Sequence, residues 1–267
     1  VKLIAVDDAP AFEVAYQHPH GAPGVLSVHR ALVDGLPPAL DALFVASDLQ
    51  GYVDSDGGRQ LVGFAVAAAV GRHAAACGVG RSRLGVLLAG DLYAPPEHAH
   101  RSAAGDVRPV WRGFARHAAF VAGVAGNHDD FGATPAEIRA FAAEPGVALL
   151  DPGTHGLAVA AEFAGLRIAG VSGVVGNPDL PWRRRHDDYI DAVAAAIGAG
   201  PDVLLLHQNP ALPGVRRDEM SRLTQLLAVA ADGFVVFGHA HCPAPTMALG
   251  RCRLFATEGR AFWLARA

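Results

Sequence analysis

Short apolar runs that end in polar residues set the rhythm of this chain. Ala42–Ala46 and Ser47 lead into Asp48, and Leu84–Ala89 leads into Gly90-Asp91. Phe120–Ala125 leads into Gly126-Asn127-His128, Val203–Leu206 into His207, and Phe234–Phe237 into Gly238-His239. Runs this short, bounded by glycine or polar residues, predict buried strands. Longer segments between them predict helices: the Ala-rich stretch Arg59–Gly78, and Val107–Ala118 with Trp111, Phe114 and Ala118 three to four apart. A third opens at Thr134-Pro135-Ala136-Glu137, where Thr134 caps, Pro135 suits the first turn and Glu137 completes a capping box. Asp187–Ile197 and Asp218–Val229 predict two more.

Strand–helix alternation through the first 150 residues predicts an α/β layered domain. From Gly156 onward hairpins take over. Leu157–Phe163 and Leu166–Val171 flank Ala164-Gly165, and Thr246–Leu249 and Arg253–Ala256 flank Gly250. A last strand is expected near Phe262–Leu264. Parallel units followed by antiparallel strands fit two mixed sheets packed together in one domain, residues 1–267. The first forty residues give the weakest pattern, with short edge strands at Lys2–Val6 and Gly24–Val28 and Asp7-Asp8 in a solvated loop.

Composition narrows the function. Of 267 residues, 51% are hydrophobic and 18% charged, enough apolar content for a large core and too much for a disordered chain. The net charge of -4 argues against a sequence-independent nucleic-acid binder, so nucleic acid is not an expected partner. The longest apolar stretch, Leu61–Gly71, falls short of the roughly 20 residues of a membrane span. With no leader pattern at the N-terminus, a cytoplasmic protein without a membrane partner is expected. Cys77, Cys242 and Cys252 are odd in number and lack C-x-x-C spacing, which predicts buried free thiols rather than disulfides or a zinc knuckle.

The loops after the predicted strands carry the candidate chemistry: Asp48, Gln50, Asp91, Asn127, His128, His207, His239 and His241. Open α/β sheets build their sites at such strand ends. Carboxylate, amide oxygen and imidazole together suit Mn, Fe, Zn or Ni. Two such cations can clamp the attacking and leaving oxygens of a phosphoryl centre, provided an anionic ligand bridges them, and Asp91 after Gly90 can serve.

Asp48-Leu49-Gln50, Gly90-Asp91, Gly126-Asn127-His128-Asp129, His207 and Gly238-His239-Ala240-His241 resemble, in order, the five blocks of calcineurin-like metallophosphoesterases. The resemblance implies two packed β-sheets flanked by helices, a four-layer sandwich. It implies hydrolysis of a phosphate ester by a hydroxide bridging two metal ions, with Asp91 as the bridging ligand. Asp48, Gln50 and His241 complete the first metal position, and Asn127, His207 and His239 the second. His128 stabilises the transition state or protonates the leaving oxygen, and Asp129 orients His128. One position departs from the family, whose first block is D-x-H. Gln50 can ligate only through a neutral amide oxygen, which favours Mn or Fe if it binds directly. Ligation through water and a weak or empty first position stay open.

Arg184, within Arg183–Arg185 and next to Trp182, is a candidate phosphate contact, against the alternative of a solvated basic loop. Tyr93, two residues past Asp91, is a candidate neighbour of the substrate. Glu97, His98 and His100 read as a surface loop. The substrate expected is a phosphorylated small molecule, a nucleotide or a phosphoprotein, and phosphatase and phosphodiesterase activity are both open. A metal-binding interaction protein on the same fold is the alternative.

Overall fold

The structure, a computed structural model, describes residues 1–55, 58–95, 103–213 and 220–267. Strands Ala42–Ala46, Leu84–Leu88, Phe120–Gly123 and Val147–Leu149 lie parallel and adjacent in a nine-stranded sheet. Their alternate residues face two different cores. Phe44, Ala46, Val86, Leu88 and Val121 pack with Val66, Val110, Trp111, Phe114 and Phe141 of three helices, Val62–Ala76, Arg108–Ala115 and Pro135–Ala142. Leu43, Val45, Leu87, Phe120 and Ala122 pack instead with Ile168, Val203, Leu205, Phe234, Val236 and Phe255 of a second sheet. Burial on both faces explains why these strands read as unbroken apolar runs rather than alternating ones.

The second sheet runs in the order Ala160–Phe163, Leu166–Val171, Val203–Leu206, Asp232–Phe237, Arg251–Ala256, Thr246–Leu249. The four inner strands are parallel and each outer strand is antiparallel to its neighbour. The outer face packs on helices His186–Gly198 and Ser221–Ala230 through Val171, Leu204, Leu206, Val235 and Phe237 against Tyr189, Val193, Leu223 and Leu227. The result is the expected α/β sandwich, with helices, two mixed sheets and helices in four layers.

Local signals explain most boundaries. The Thr134 capping box is complete: Thr134 Oγ1 accepts from the Glu137 amide and Glu137 from the Thr134 amide. Ala164 (φ 54°) and Gly165 (φ 83°) make a hairpin turn with two left-handed residues, which matches the twist of the flanking strands. The helix expected from Arg59 starts only at Val62, because Gly58–Leu61 pairs with Tyr52–Ser55 as a hairpin. Asp218, the expected start of the last helix, lies outside the described residues. Cys242 and Cys252 are buried free thiols as expected, whereas Cys77, just past the end of its helix, is exposed. None of the described helices is long and apolar enough to cross a membrane.

The largest departure is the N-terminus. Lys2–Gln17 and Pro23–Asp34 form one long antiparallel hairpin, with register shifts around Ala5, Pro10 and Phe12. Asp7 and Asp8 therefore sit in a bulged stretch of strand, not in a loop, and Asp7 Oδ2 lies 3.6 Å from Arg30 Nη1. A proline among acidic residues hides such a strand, since proline is tolerated only where a ladder bond is already interrupted. The C-terminal strand Arg260–Arg266 then inserts between this hairpin and Ala42–Ala46, parallel to Pro23–Asp34.

Candidate metal centre

The ends of the parallel strands of both sheets converge on Asp91. Its carboxylate is almost fully buried. Oδ1 accepts from the His128 amide at 2.9 Å. Oδ2 lies 3.1 Å from Gln50 Nε2 and 3.3 Å from His207 Nε2. The other ring nitrogen of His207, Nδ1, faces the Ala89 carbonyl at 2.8 Å. A carbonyl only accepts, so Nδ1 carries the proton and the Nε2 lone pair is turned toward a carboxylate oxygen. Two acceptors at that distance are reconciled by a proton or by a cation.

Further observations favour the cation. His207 Nε2 and Asn127 Oδ1 are both buried without a hydrogen-bond partner. Ligand atoms of Asp91, His207 and His239 fall within 4.8 Å of one another, the one such grouping among the described residues. Three acids are also gathered in this small volume. Burial, with the charge of Asp91 added, pushes Asp48 up to about 7 and Asp129 up to about 6. Burial alone would raise Asp91 too, but His207 beside it takes it down to about 2. His207, which burial would lower, is lifted to about 9 by Asp91. Clustered carboxylates, an imidazole nitrogen that has only the Asp91 carboxylate beside it and an unpartnered amide oxygen make a donor set that a divalent cation satisfies. The residues present fit the metal that the resemblance implies.

Backbone strain marks the same places. Asp48 (φ 51°), Asp91 (φ 54°) and His239 (φ 68°) are left-handed without being glycine, a conformation that collects at functional sites. The Asp48 carboxylate is held by Ser47 Oγ at 2.5 Å and by the His239 amide at 3.0 Å, both on Oδ2. Ser47 Oγ in turn lies 2.7 Å from Thr257 Oγ1.

The expected residues thus stand as follows. Asp91, His207 and His239 come together directly, with Asn127 offering an unpartnered oxygen and Asp48 hydrogen-bonded to the backbone of His239. Gln50 presents its amide nitrogen to Asp91. The opposite amide orientation would set two oxygens against each other, and a cation between them is what would hold that arrangement. His241 stays at the surface, its Nδ1 3.0 Å from Glu258 Oε2, outside the group formed around Asp91.

Corrections concern Asp129 and Arg184. The carboxylate of Asp129 is occupied by backbone amides: Oδ2 accepts from Asp91 and Gly126, each at 2.8 Å, and Oδ1 from Leu92 at 2.7 Å and Tyr93 at 3.3 Å. It holds two ligand loops together. The orientation of His128 falls instead to the Ala103 carbonyl, 2.8 Å from Nδ1. Arg184 turns inward, bonding the Asp151 carboxylate, the Ser172 carbonyl at 2.8 Å, the Pro152 carbonyl at 3.1 Å and Thr154 Oγ1 at 2.6 Å. Asp151 has no exposed side-chain surface, so this arginine serves a buried ion pair rather than a substrate. Tyr93 packs across Gly105, where an added Cβ would meet the ring at 2.2 Å. Glu97, His98 and His100 lie outside the described residues.

Two groups escaped sequence reasoning. Glu258 follows strand Arg251–Ala256 by two residues, the same strand-end signal that picked out the other candidates. Ala103 acts through a backbone carbonyl and leaves no trace in side-chain pattern.

The fold has relatives among solved structures. The chain is similar to the crystal structure of TT1561 of Thermus thermophilus, with a TM-score of 0.54 at 16% identity over 81% of this chain and 88% of that one. Weaker likenesses are to Haemophilus influenzae NAD nucleotidase (NadN), TM-score 0.44, 14% identity, 81% of this chain and 44% of that one, and to 5'-nucleotidase from Candida albicans SC5314, TM-score 0.42, 12% identity, 84% and 46%. The chain therefore spans a little under half of each of those two nucleotidases. No family model and no curated protein matches the chain. The chain shares its fold with TT1561.

Proposed function

We propose that on this metallophosphoesterase-type fold the chain is a metal-dependent hydrolase of phosphate esters. The observation that carries the reading is the pair of buried, unpartnered ligand atoms, His207 Nε2 and Asn127 Oδ1, beside Asp91 and His239. Those four residues would hold one cation. Asp48, Gln50 and His241 would hold a second, with Asp91 between the two. Manganese is favoured, since an amide oxygen replaces an imidazole at Gln50.

Bound cations supply Lewis-acid polarisation of the phosphoryl oxygens and a water acidified for attack. The chain's own residues do the rest. Asp129 fixes the spacing of the Asp91 and Asn127 loops through four backbone amides. Glu258 orients the His241 ring. The Ala103 carbonyl accepts from His128 Nδ1–H, which leaves Nε2 to donate a proton to the departing oxygen when the ring is charged. The substrate is a phosphorylated small molecule, a nucleotide or a phosphoprotein.

The test is hydrolysis of bis-p-nitrophenyl phosphate and p-nitrophenyl phosphate by metal-stripped protein, with and without manganese. Manganese-dependent turnover of either ester is expected, and its preference separates diester from monoester. Folded protein that turns over neither ester with any divalent metal overturns the reading and favours an interaction protein with Gln50 as the sign of an impaired site.

A further inference from the structure

The N-terminal hairpin engages the turn that carries Gln50 at Tyr16 and Gln17. Tyr16, near the end of strand Lys2–Gln17, pairs with Gly24 across the hairpin. An added Cβ on Gly24 would stand 2.6 Å from Tyr16 Cζ. The same ring lies over Gly51: an added Cβ there would stand 2.3 Å from Tyr16 Cδ2 and 2.9 Å from the Gln17 carbonyl oxygen. The ring therefore fills a slot between two glycines, one on its own hairpin and one that directly follows Gln50. Beside the slot Gln17 pairs with Tyr52, so the strand edge and the ring grip the same turn. The Gly51 carbonyl is also fixed, accepting from the Val62 amide at 2.9 Å at the start of a helix. With Gly51 held on two sides, the Gln50 side chain leaves a backbone that cannot swing away from Asp91.

Tyr16 is also coupled electrostatically to Glu258, the residue that pairs with His241. Burial raises its hydroxyl pKa, and the charge of Glu258, the partner of His241, raises it further. Gln50, hydrogen-bonded to Asp91, and His241, at the surface beside Glu258, are two of the candidate ligands of the first metal position. Both border on Tyr16 or on its electrostatic neighbour.

We propose that Tyr16 is a positioning residue for the first metal position: through the Gly24–Gly51 slot, the N-terminal hairpin locks the Gln50 turn in the geometry that binds the outer cation. This rests on the reading of the site given above. It gives the first forty residues a part in the chemistry, although none of them is proposed as a ligand. It also accounts for a glycine at position 51, since any side chain there would displace the ring.

Isothermal titration of metal-stripped protein with manganese tests this, alongside thermal melts of every variant. Wild type should bind two equivalents. Tyr16→Ala should weaken one equivalent at least tenfold and leave the other within twofold. Tyr16→Phe, which keeps the ring and loses only the hydroxyl, should restore wild-type binding. Gly51→Ala should reproduce the selective loss with Tyr16 intact. Where Tyr16→Ala melts too low to titrate, Gly51→Ala and Tyr16→Phe carry the comparison. Two equivalents bound alike by wild type, Tyr16→Ala and Gly51→Ala overturn the positioning role and leave the hydrolase reading standing. A wild-type protein that binds no metal overturns the reading on which the role rests.

Discussion

Asp129 offers the sharpest test, because two roles for it predict different measurements. The perturbation is Asp129→Asn, which keeps the shape and removes the charge. Both carboxylate oxygens are committed, each to two backbone N–H groups. An asparagine must place its NH2 where one oxygen was, so a donor meets two donors whichever way the amide turns. Two bonds to an ionised acceptor are lost, each contributing about 1.5–3 kcal/mol. The gross loss is about 3–6 kcal/mol. Neutralising Asp129 also relieves its repulsion with Asp91, which moves the net toward the lower end, about 3 kcal/mol.

The affected loops carry Asp91 and Asn127, so metal binding should fall with stability. Urea unfolding of the metal-free variant and a manganese titration check both. A variant as stable as wild type, with full metal content and only a lowered kcat, would refute this account. That outcome would restore Asp129 to the role of orienting His128.

Further outcomes are expected at other positions. His128→Ala should lower kcat by about 10²- to 10⁴-fold, the range of a lost general acid, while metal content stays unchanged; its backbone amide, which survives the substitution, is what bonds Asp91. Gln50→His should tighten one metal equivalent or change its order of preference among Mn, Zn and Ni, and identical titrations would remove Gln50 from the ligand set. Arg184→Ala should cost about 3 kcal/mol in urea unfolding by stranding the buried Asp151 carboxylate, with KM within twofold of wild type; a large rise in KM at unchanged stability would return Arg184 to the substrate.

Sequence pattern revealed the layers and the strand-end chemistry for one physical reason. Strands buried on both faces are apolar throughout, so a polar residue at their ends stands out. Asp48, Asp91, Asn127, His207 and His239 were all visible this way. The hairpin Lys2–Gln17 with Pro23–Asp34 was not, because much of Lys2–Gln17 is exposed and bulged, and Pro10 with Asp7-Asp8 mimics a loop. Arg184 misled for a different reason. An arginine suited to phosphate is equally suited to a buried carboxylate, and Asp151 lies more than thirty positions away in sequence. Asp129 shows the same limit, since a residue next to a candidate catalytic histidine in sequence need not face it in space.

The glycines of the motifs have an explanation that spacing does not give. Gly90, Gly126 and Gly238 each precede a candidate ligand, and in sequence they mark turns. In space they are places where one ligand loop touches another. A Cβ on Gly126 would stand 2.0 Å from Asp91 Oδ1, and one on Gly90 2.5 Å from the Gly126 amide nitrogen. One on Gly238 would stand 2.3 Å from Asp48 Oδ2. Only Gly90 of the three has a left-handed backbone, so turn geometry cannot account for the other two. Close approach can: the carboxylates of Asp48 and Asp91 and the loops that carry Asn127 and His239 come this near only if the backbone between them carries no side chains. Gly51 beneath Tyr16 extends the same rule to the outer edge of the site. The glycine pattern thus measures how tightly the ligand loops are pressed together.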